Sequence, residues 1–449
     1  MFSIFKRAGY LILFAGFLAS LFCIFQVYTL AATHNGSIAL DDPHLKVEVI
    51  FRGIKFPTSM AFLGDKDILV LEKNNGTVKR IVNGNMLPEP LLKVNVSTIS
   101  ERGMLGIAVA KKNHHPIYVF LYFTEVENEK GTEGKEVQTT LGNRLYRYEL
   151  LSNKLTNPKL LLDLPVDRSP AHNGGKIVIG PDDNLYVVEG DLDGNTIAQN
   201  IKNGTEPDGR GGILRVTQDG KVVGNGIIGN SHPLNLYYAY GIRNSFGLDF
   251  DPVTENLWDT ENGPYYGDEI NLVGPGFNSG WKNIQGIWKE NNQRIGEIAP
   301  IDPEGLVTFY GKGKYSQPEF IWNRTVGVTA LSFLNSDKLG KQYENHLFVG
   351  DFHNGNIYDF ELNKDRTNFV LKNDLSDKIA NSHGELQSIT FGKGFGAITD
   401  IKIGPDGYLY VLSIQEGGTD CYVVREISDP CVPYDSGVQG TIFRIFKTN

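Results

Sequence analysis

Apolar and polar residues alternate over short stretches of this chain. Each stretch breaks at a Pro, Asp or Gly, and a second alternating stretch follows at once. The pattern starts near Met60 (MAFLGDKDILVLE), Ile107 (IAVAKKNHHPIYVFLYF) and Ile177 (IVIGPDDNLYVVE), and again near Leu248 (LDFDPVTENLWDTE), Leu331 (LSFLNSDKLGKQYENHLFVGD) and Ile401 (IKIGPDGYLYVLS). Period-two alternation on both sides of a turn marks a β-hairpin. A further strand of the same texture follows each hairpin: GTVKRIV at Gly76, NRLYRYEL at Asn143, GGILRV at Gly211, DEINLV at Asp268, GNIYDFEL at Gly355 and GTIFRIF at Gly440. Six such units without a long amphipathic helix predict an all-β, six-bladed β-propeller over residues 47–449, whose radial closure leaves few strand edges open. A pair of β-sandwiches is the competing arrangement, but it does not call for six copies of one unit.

Composition agrees with short strands and tight turns: 449 residues include 51 Gly, 25 Phe and 20 Tyr. A formal charge of −9 without long basic runs excludes nucleic acid as a partner. Residues 1–32 begin with the cations Lys6 and Arg7 and continue as an uncharged run from Ala8 to Thr33. This reads as a signal peptide or an N-terminal membrane anchor, so the remainder is exported and any membrane contact runs through that segment. Residues 33–46 read as a linker. In an oxidising compartment Cys421 and Cys431 suit a disulfide closing a small loop, or else two buried thiols. No C-x-x-C pair exists, which removes a thiolate zinc site.

Chemistry is sought where the repeat is broken. His172 stands in PAHNGG, directly before a strand, where glycines permit close backbone approach and an imidazole can serve as a general base. Arg243 and Asn244, in YGIRNSFGLDF, hold the matching place one unit later. In ENGPYYGDEINL, Gly263 and Pro264 turn the chain so that carbonyls can face a cavity, and Asp268 and Glu269 add carboxylates. An oxygen-rich, thiol-free setting suits calcium. DLDGN at Asp191 opens like an EF-hand loop, but position twelve is Lys202, which rules that loop out. H-E-x-x-H, G-x-S-x-G, the P-loop and a dinucleotide-binding glycine fingerprint are all absent from the sequence.

These departures, and above all YGIRNSFGLDF…ENGPYYGDEINLVGPGFNSGW with ERGMLGIAV and HNGGKIVIGPD, resemble the soluble quinoprotein sugar dehydrogenases, also grouped as glucose/sorbosone dehydrogenases. The resemblance covers nearly everything after residue 47. It implies an oxidoreductase using pyrroloquinoline quinone, a small sugar or related polyol as substrate, and a separate electron acceptor. It further implies His172 as the base on the anomeric hydroxyl, Arg243 and Asn244 against the cofactor, carbonyls of Gly263 and Pro264 on a calcium ion, and Glu269 at a second, structural calcium. Where relatives of known activity carry a lysine and two arginines, this chain has His353, Ala397 and Thr399. Glu101 stands for a glutamine, and Ala171 for the acid often preceding the base. Arg102, Lys393 and Lys402 are the cations available to compensate, so Glu101, Arg102, His353 and Thr399 complete the expected cofactor cradle. A calcium-dependent, lactonase-like hydrolase and a non-catalytic glycan- or protein-binding propeller are the alternatives.

Overall fold

The structure, a computed structural model, describes residues 38–448 apart from 111–115, 131–135, 168, 289–301 and 415–437. The expected segment 1–32 and the Cys421 and Cys431 pair lie outside the described residues. Among the described residues no helix is long and apolar enough to cross a membrane.

The strands assemble into six sheets. In chain order their first strands are Pro57–Gly64, Met104–Ala110, Ile177–Ile179, Ser245–Phe250, Val328–Phe333 and Ala397–Ile403. Each first strand packs against the next, and the last returns to Pro57–Gly64. The chain is therefore an all-β propeller, a closed ring of sheets with these strands innermost. Its seam joins the two ends of the chain: Leu45–Lys55 pairs antiparallel with Gln439–Lys447 in the sheet of Ala397–Ile403. Part of the expected linker is thus already sheet, since that strand begins at Leu45 and Ala39–Leu40 pairs with Thr390–Lys393. Leu45–Lys55 is mostly half-exposed, so its alternation is weak and hides the start.

The echo between IGPDDNLY and IGPDGYLY has a local cause. Gly180 and Gly404 leave room for an aromatic ring, because a Cβ would stand 2.6 Å from the Tyr186 ring and 2.4 Å from the Tyr410 ring. Each tyrosine hydroxyl then donates to the turn aspartate, Tyr186 to Asp182 at 3.1 Å and Tyr410 to Asp406 at 2.9 Å. Large aromatics fill the spaces between sheets; Trp258, Trp322, Phe320, Tyr358 and Phe360 pack together between the fourth and fifth. One buried ion pair crosses the ring, from Lys176 Nζ before the third inner strand to Asp400 Oδ1 on the sixth, at 2.5 Å.

Candidate active site

Loops entering the inner strands gather at one end of the ring, and the His172 loop is the most constrained. His172 has φ 59° and Gly174 and Gly175 follow with φ 60° and 101°, a left-handed run that only neighbours on all sides can hold. A Cβ on Gly106 would stand 1.9 Å from the Gly175 carbonyl, and one on Gly190 would stand 2.1 Å from the His172 carbonyl, so both glycines exist to admit this loop. Glu101 clamps it: one carboxylate oxygen accepts the His172 N–H at 2.7 Å, the Asn173 N–H at 3.3 Å and the Asn244 side-chain amide at 3.2 Å. Asn244 closes the circuit by accepting the Gly174 N–H at 3.3 Å. Glu101 and Asn244 therefore build the loop from behind.

His172 is buried, and its Nδ1 lies 2.6 Å from Asp191 Oδ1 and 3.3 Å from Asp193 Oδ1. Asp191 also accepts the Trp281 indole N–H at 2.6 Å and the Asp193 backbone N–H at 2.9 Å. Burial works against its charge, yet the His172 bond and charge, the Trp281 N–H and Lys282 together hold the Asp191 pKa below the ordinary carboxylate value. An ionised Asp191 accepts a hydrogen bond from the Nδ1–H, which assigns the tautomer and leaves the Nε2 lone pair for chemistry. This is the arrangement of a base with its orienting carboxylate.

Beside it, the Asp191 N–H donates to the Arg243 carbonyl at 2.8 Å. The Arg243 N–H donates to Glu261 at 2.7 Å, and its guanidinium lies 5.4 Å from the Trp281 ring. Arg243 Nη1 donates to the carbonyls of Asn262 at 2.8 Å and Gly263 at 3.3 Å. The turn that carries Gly263 and Pro264 thus presents the Asn262 and Gly263 carbonyls to the Arg243 guanidinium.

Asp268 and Glu269 do not converge. They are successive residues of the strand Asp268–Val273 and project to opposite faces. Asp268 accepts three backbone N–H groups, from Gly263, Val326 and Gly327, at 2.7–2.8 Å. Glu269 instead faces Glu261 across the strand pair, with Asp259 two residues away on the same face. Ser279 Oγ bonds both glutamates, at 2.6 and 3.3 Å. All three carboxyls are buried. Burial raises all three, Glu261 to about 7. Among the described residues, the acidic group whose ligand atoms converge closely enough to hold a metal ion is instead His172, Asp191 and Asp193, all within 4.8 Å of one another.

The other expected cradle residues make contacts of their own. Arg102 turns its guanidinium to the carbonyls of Asp167 and Ser169 and so supports the His172 loop. Thr399 donates to the Leu412 carbonyl at 3.4 Å, while the His353 ring packs on Gly327 near Asp268. Lys402 joins Lys176, Asp249 and Asp400 within the ring, and Lys393 is exposed on an outer strand. Sequence reasoning passed over Asp191, Trp281, Glu261 and Lys73. Lys73 is buried 5.1 Å from the Phe56 ring, and burial lowers it to about 8 against the pull of Glu101. A signal for Asp191 existed, a carboxylate at the end of the strand that pairs with the one after His172, but it was hidden inside DLDGN.

The chain is similar to the aldose sugar dehydrogenase YliI of Escherichia coli, 26% identical over 381 residues covering 83% of this chain and 91% of the relative. It is also similar to the quinoprotein glucose dehydrogenase B of Acinetobacter calcoaceticus, 29% identical over 262 residues, or 53% of this chain and 52% of that protein. Among solved structures, the soluble aldose sugar dehydrogenase of Escherichia coli in the apo-form superposes with a TM-score of 0.65 at 23% identity, covering 90% of this chain and all of that one. The PQQ-bound aldose sugar dehydrogenase of Streptomyces coelicolor gives 0.59 at 20%, covering 89% and 98%. Residues 54–423 match the Glucose / Sorbosone dehydrogenase family, and the chain belongs to that family.

Proposed function

We propose that this chain is an exported sugar dehydrogenase whose six sheets act as six blades, and that it oxidises an aldose or related polyol at the carbon bearing the reactive hydroxyl. The observation that carries this reading is the His172–Asp191 pair beside the Arg243 guanidinium and the Gly263 turn. His172 Nε2 takes the hydroxyl proton, and Asp191 stabilises the imidazolium that results. Pyrroloquinoline quinone, when bound, would supply the two-electron acceptor for that carbon and calcium the Lewis acid, with a separate acceptor for the electrons. Carbonyls of the 262–264 turn would hold that ion, Arg243 would face the quinone, and Glu269 would belong to a second, structural calcium site. Glu101 and Asn244 keep the base aimed. Asp249 and Asp400 within the ring are engaged by Lys176 and Lys402 and so are not free to ligate the metal of a lactonase-like hydrolase. The test adds the quinone and calcium to purified apo-protein, follows quinone binding by fluorescence, and follows dye reduction with aldoses. Binding with turnover supports the reading; absence of both defeats it.

A further inference from the structure

Behind the His172 loop lies a polar cluster that the proposed reaction does not use. Tyr122, Thr124, Asn143, Asn173 and Glu189 are all fully buried. Asn143 donates to Glu189 Oε1 at 2.9 Å and to Asn173 Oδ1 at 3.2 Å, and Thr124 donates to Asn143 Oδ1 at 2.7 Å. The Tyr122 hydroxyl stands within hydrogen-bond distance of two acceptors, Glu189 Oε2 and, at 3.1 Å, the Asn173 carbonyl. A phenol carries one proton. If Glu189 were a carboxylate, that proton would go to one acceptor and leave the other buried against a lone pair. If Glu189 is protonated, its O–H donates to the Tyr122 oxygen and the Tyr122 O–H donates to the Asn173 carbonyl, so every oxygen is satisfied. Burial raises the Glu189 pKa to about 8 against its bonds with Tyr122 and Asn143. Arg210, the cation acting on it, is engaged by Asp208 and Asp167.

We infer that Glu189 is a neutral carboxylic acid and a positioning residue: its proton, relayed through Tyr122, fixes the Asn173 carbonyl and so aims the His172 imidazole. The Asn173–Gly174 peptide is then held at both ends, its carbonyl by Tyr122 and its N–H by Asn244, while Glu101 holds the N–H groups of His172 and Asn173. Gly174 offers little steric resistance to rotation of that peptide. Without the Tyr122 bond, the backbone next to His172 can turn. The kinetic consequence rests on the reading of His172 as the base; the protonation of Glu189 does not.

Infrared difference spectra of the metal-free, quinone-free full chain at neutral pH test the protonation directly. Wild type minus Glu189→Gln should show the C=O stretch of a protonated carboxyl. Tyr122→Phe should move that band to higher frequency, because the acid O–H loses its acceptor. Carboxylate stretches in place of that band overturn the proposal. On the reconstituted enzyme, Tyr122→Phe and Glu189→Ala should lower kcat by about 3- to 10-fold with KM unchanged. Glu189→Gln should restore most of the kcat lost in Glu189→Ala, since its amide N–H donates to Tyr122 while its oxygen still accepts from Asn143. Equal losses in Glu189→Gln and Glu189→Ala, or an unchanged kcat in Tyr122→Phe, overturn the relay. Should the Glu189 variants fail to fold, the Tyr122→Phe spectrum decides. Should wild type show no turnover, the dehydrogenase reading fails and the spectra still decide the protonation.

Discussion

Lys176→Met isolates the strut that crosses the ring. Lys176 is 6% exposed, Asp400 is fully buried, and they meet at 2.5 Å. Removing one partner of such a pair leaves an uncompensated charge and costs about 3–5 kcal/mol. Asp400 would still accept the Ser59 hydroxyl and the Met60 N–H at 2.9 Å, with Lys402 nearby. That places the expected loss at the low end, about 3 kcal/mol. Adding Asp400→Asn removes the stranded charge while the amide oxygen keeps both acceptor contacts, so the double variant should regain about 2 kcal/mol over Lys176→Met. The pH dependence has a definite sign. Burial raises the Asp400 pKa, but Lys176, Lys402 and the Met60 N–H outweigh it, and the folded value lies below the ordinary one. Its contribution is complete above about pH 4 and is lost as pH falls through the depressed folded pKa. In Lys176→Met the carboxyl has lost its main partner and takes up a proton at higher pH, so the gap to wild type should narrow on acidification from neutrality. Reversible urea unfolding at pH 7 and pH 4.5 measures all three proteins. A loss under about 1 kcal/mol for Lys176→Met, or a double variant weaker than the single one, would refute the reasoning.

Asp191→Asn should reduce kcat by about 10- to 150-fold, equivalent to the ~1.5–3 kcal/mol of a charged hydrogen bond, with KM changed only a few-fold. Steady-state kinetics on the reconstituted enzyme checks this, and an effect confined to KM would contradict the role of Asp191. Glu101→Gln should keep a well-placed acceptor and lose at most about threefold in activity, while Glu101→Ala strands two backbone N–H groups and costs about 1–3 kcal/mol in thermal unfolding. Equal losses in the two variants would show that Glu101 is not a clamp. Gly190→Ala should cost about 3 kcal/mol or more, because its Cβ meets the His172 carbonyl at 2.1 Å; Gly64→Ala, with open space around it, is the matched control and should be near neutral.

What could be read from the sequence is what local patterning encodes. Hairpins announce themselves by alternation, so the strands at Met60, Ile177 and Ile401 fall where the apolar rhythm puts them. His172, Arg243 and the Gly263 turn interrupt that rhythm, and the structure brings them to one end of the ring. Contacts fixed by register or by ring closure were out of reach. Asp268 and Glu269 look like a pair in a string of letters, but strand geometry separates them and pairs Glu269 with Glu261 instead. Lys176 looks like an outward cation in an alternating strand, and only closure of the ring brings Asp400, 224 residues away, against it. Asp191 needed the pairing of Ile177–Ile179 with Leu185–Glu189 before it could be placed near His172.

The loops at the site have little regular secondary structure, and carboxylates, all but Glu101 buried, do the work that a ladder would do elsewhere. Glu101 takes the N–H groups of His172 and Asn173, Glu261 takes that of Arg243, Asp268 takes those of Gly263, Val326 and Gly327, and Asp191 takes that of Asp193. Each carboxylate satisfies donors that would otherwise be orphaned and costly when buried. Where this happens at Gly263, the N–H is consumed inward by Asp268 and the carbonyl oxygen is left for a positive group. A mouth made this way is held by the protein's own hydrogen bonds before any ligand arrives. Changes at the Arg243 side chain should therefore move ligand affinity far more than stability, whereas changes at Glu101 or Asp268 should move both, because those carboxylates hold the backbone that presents the site.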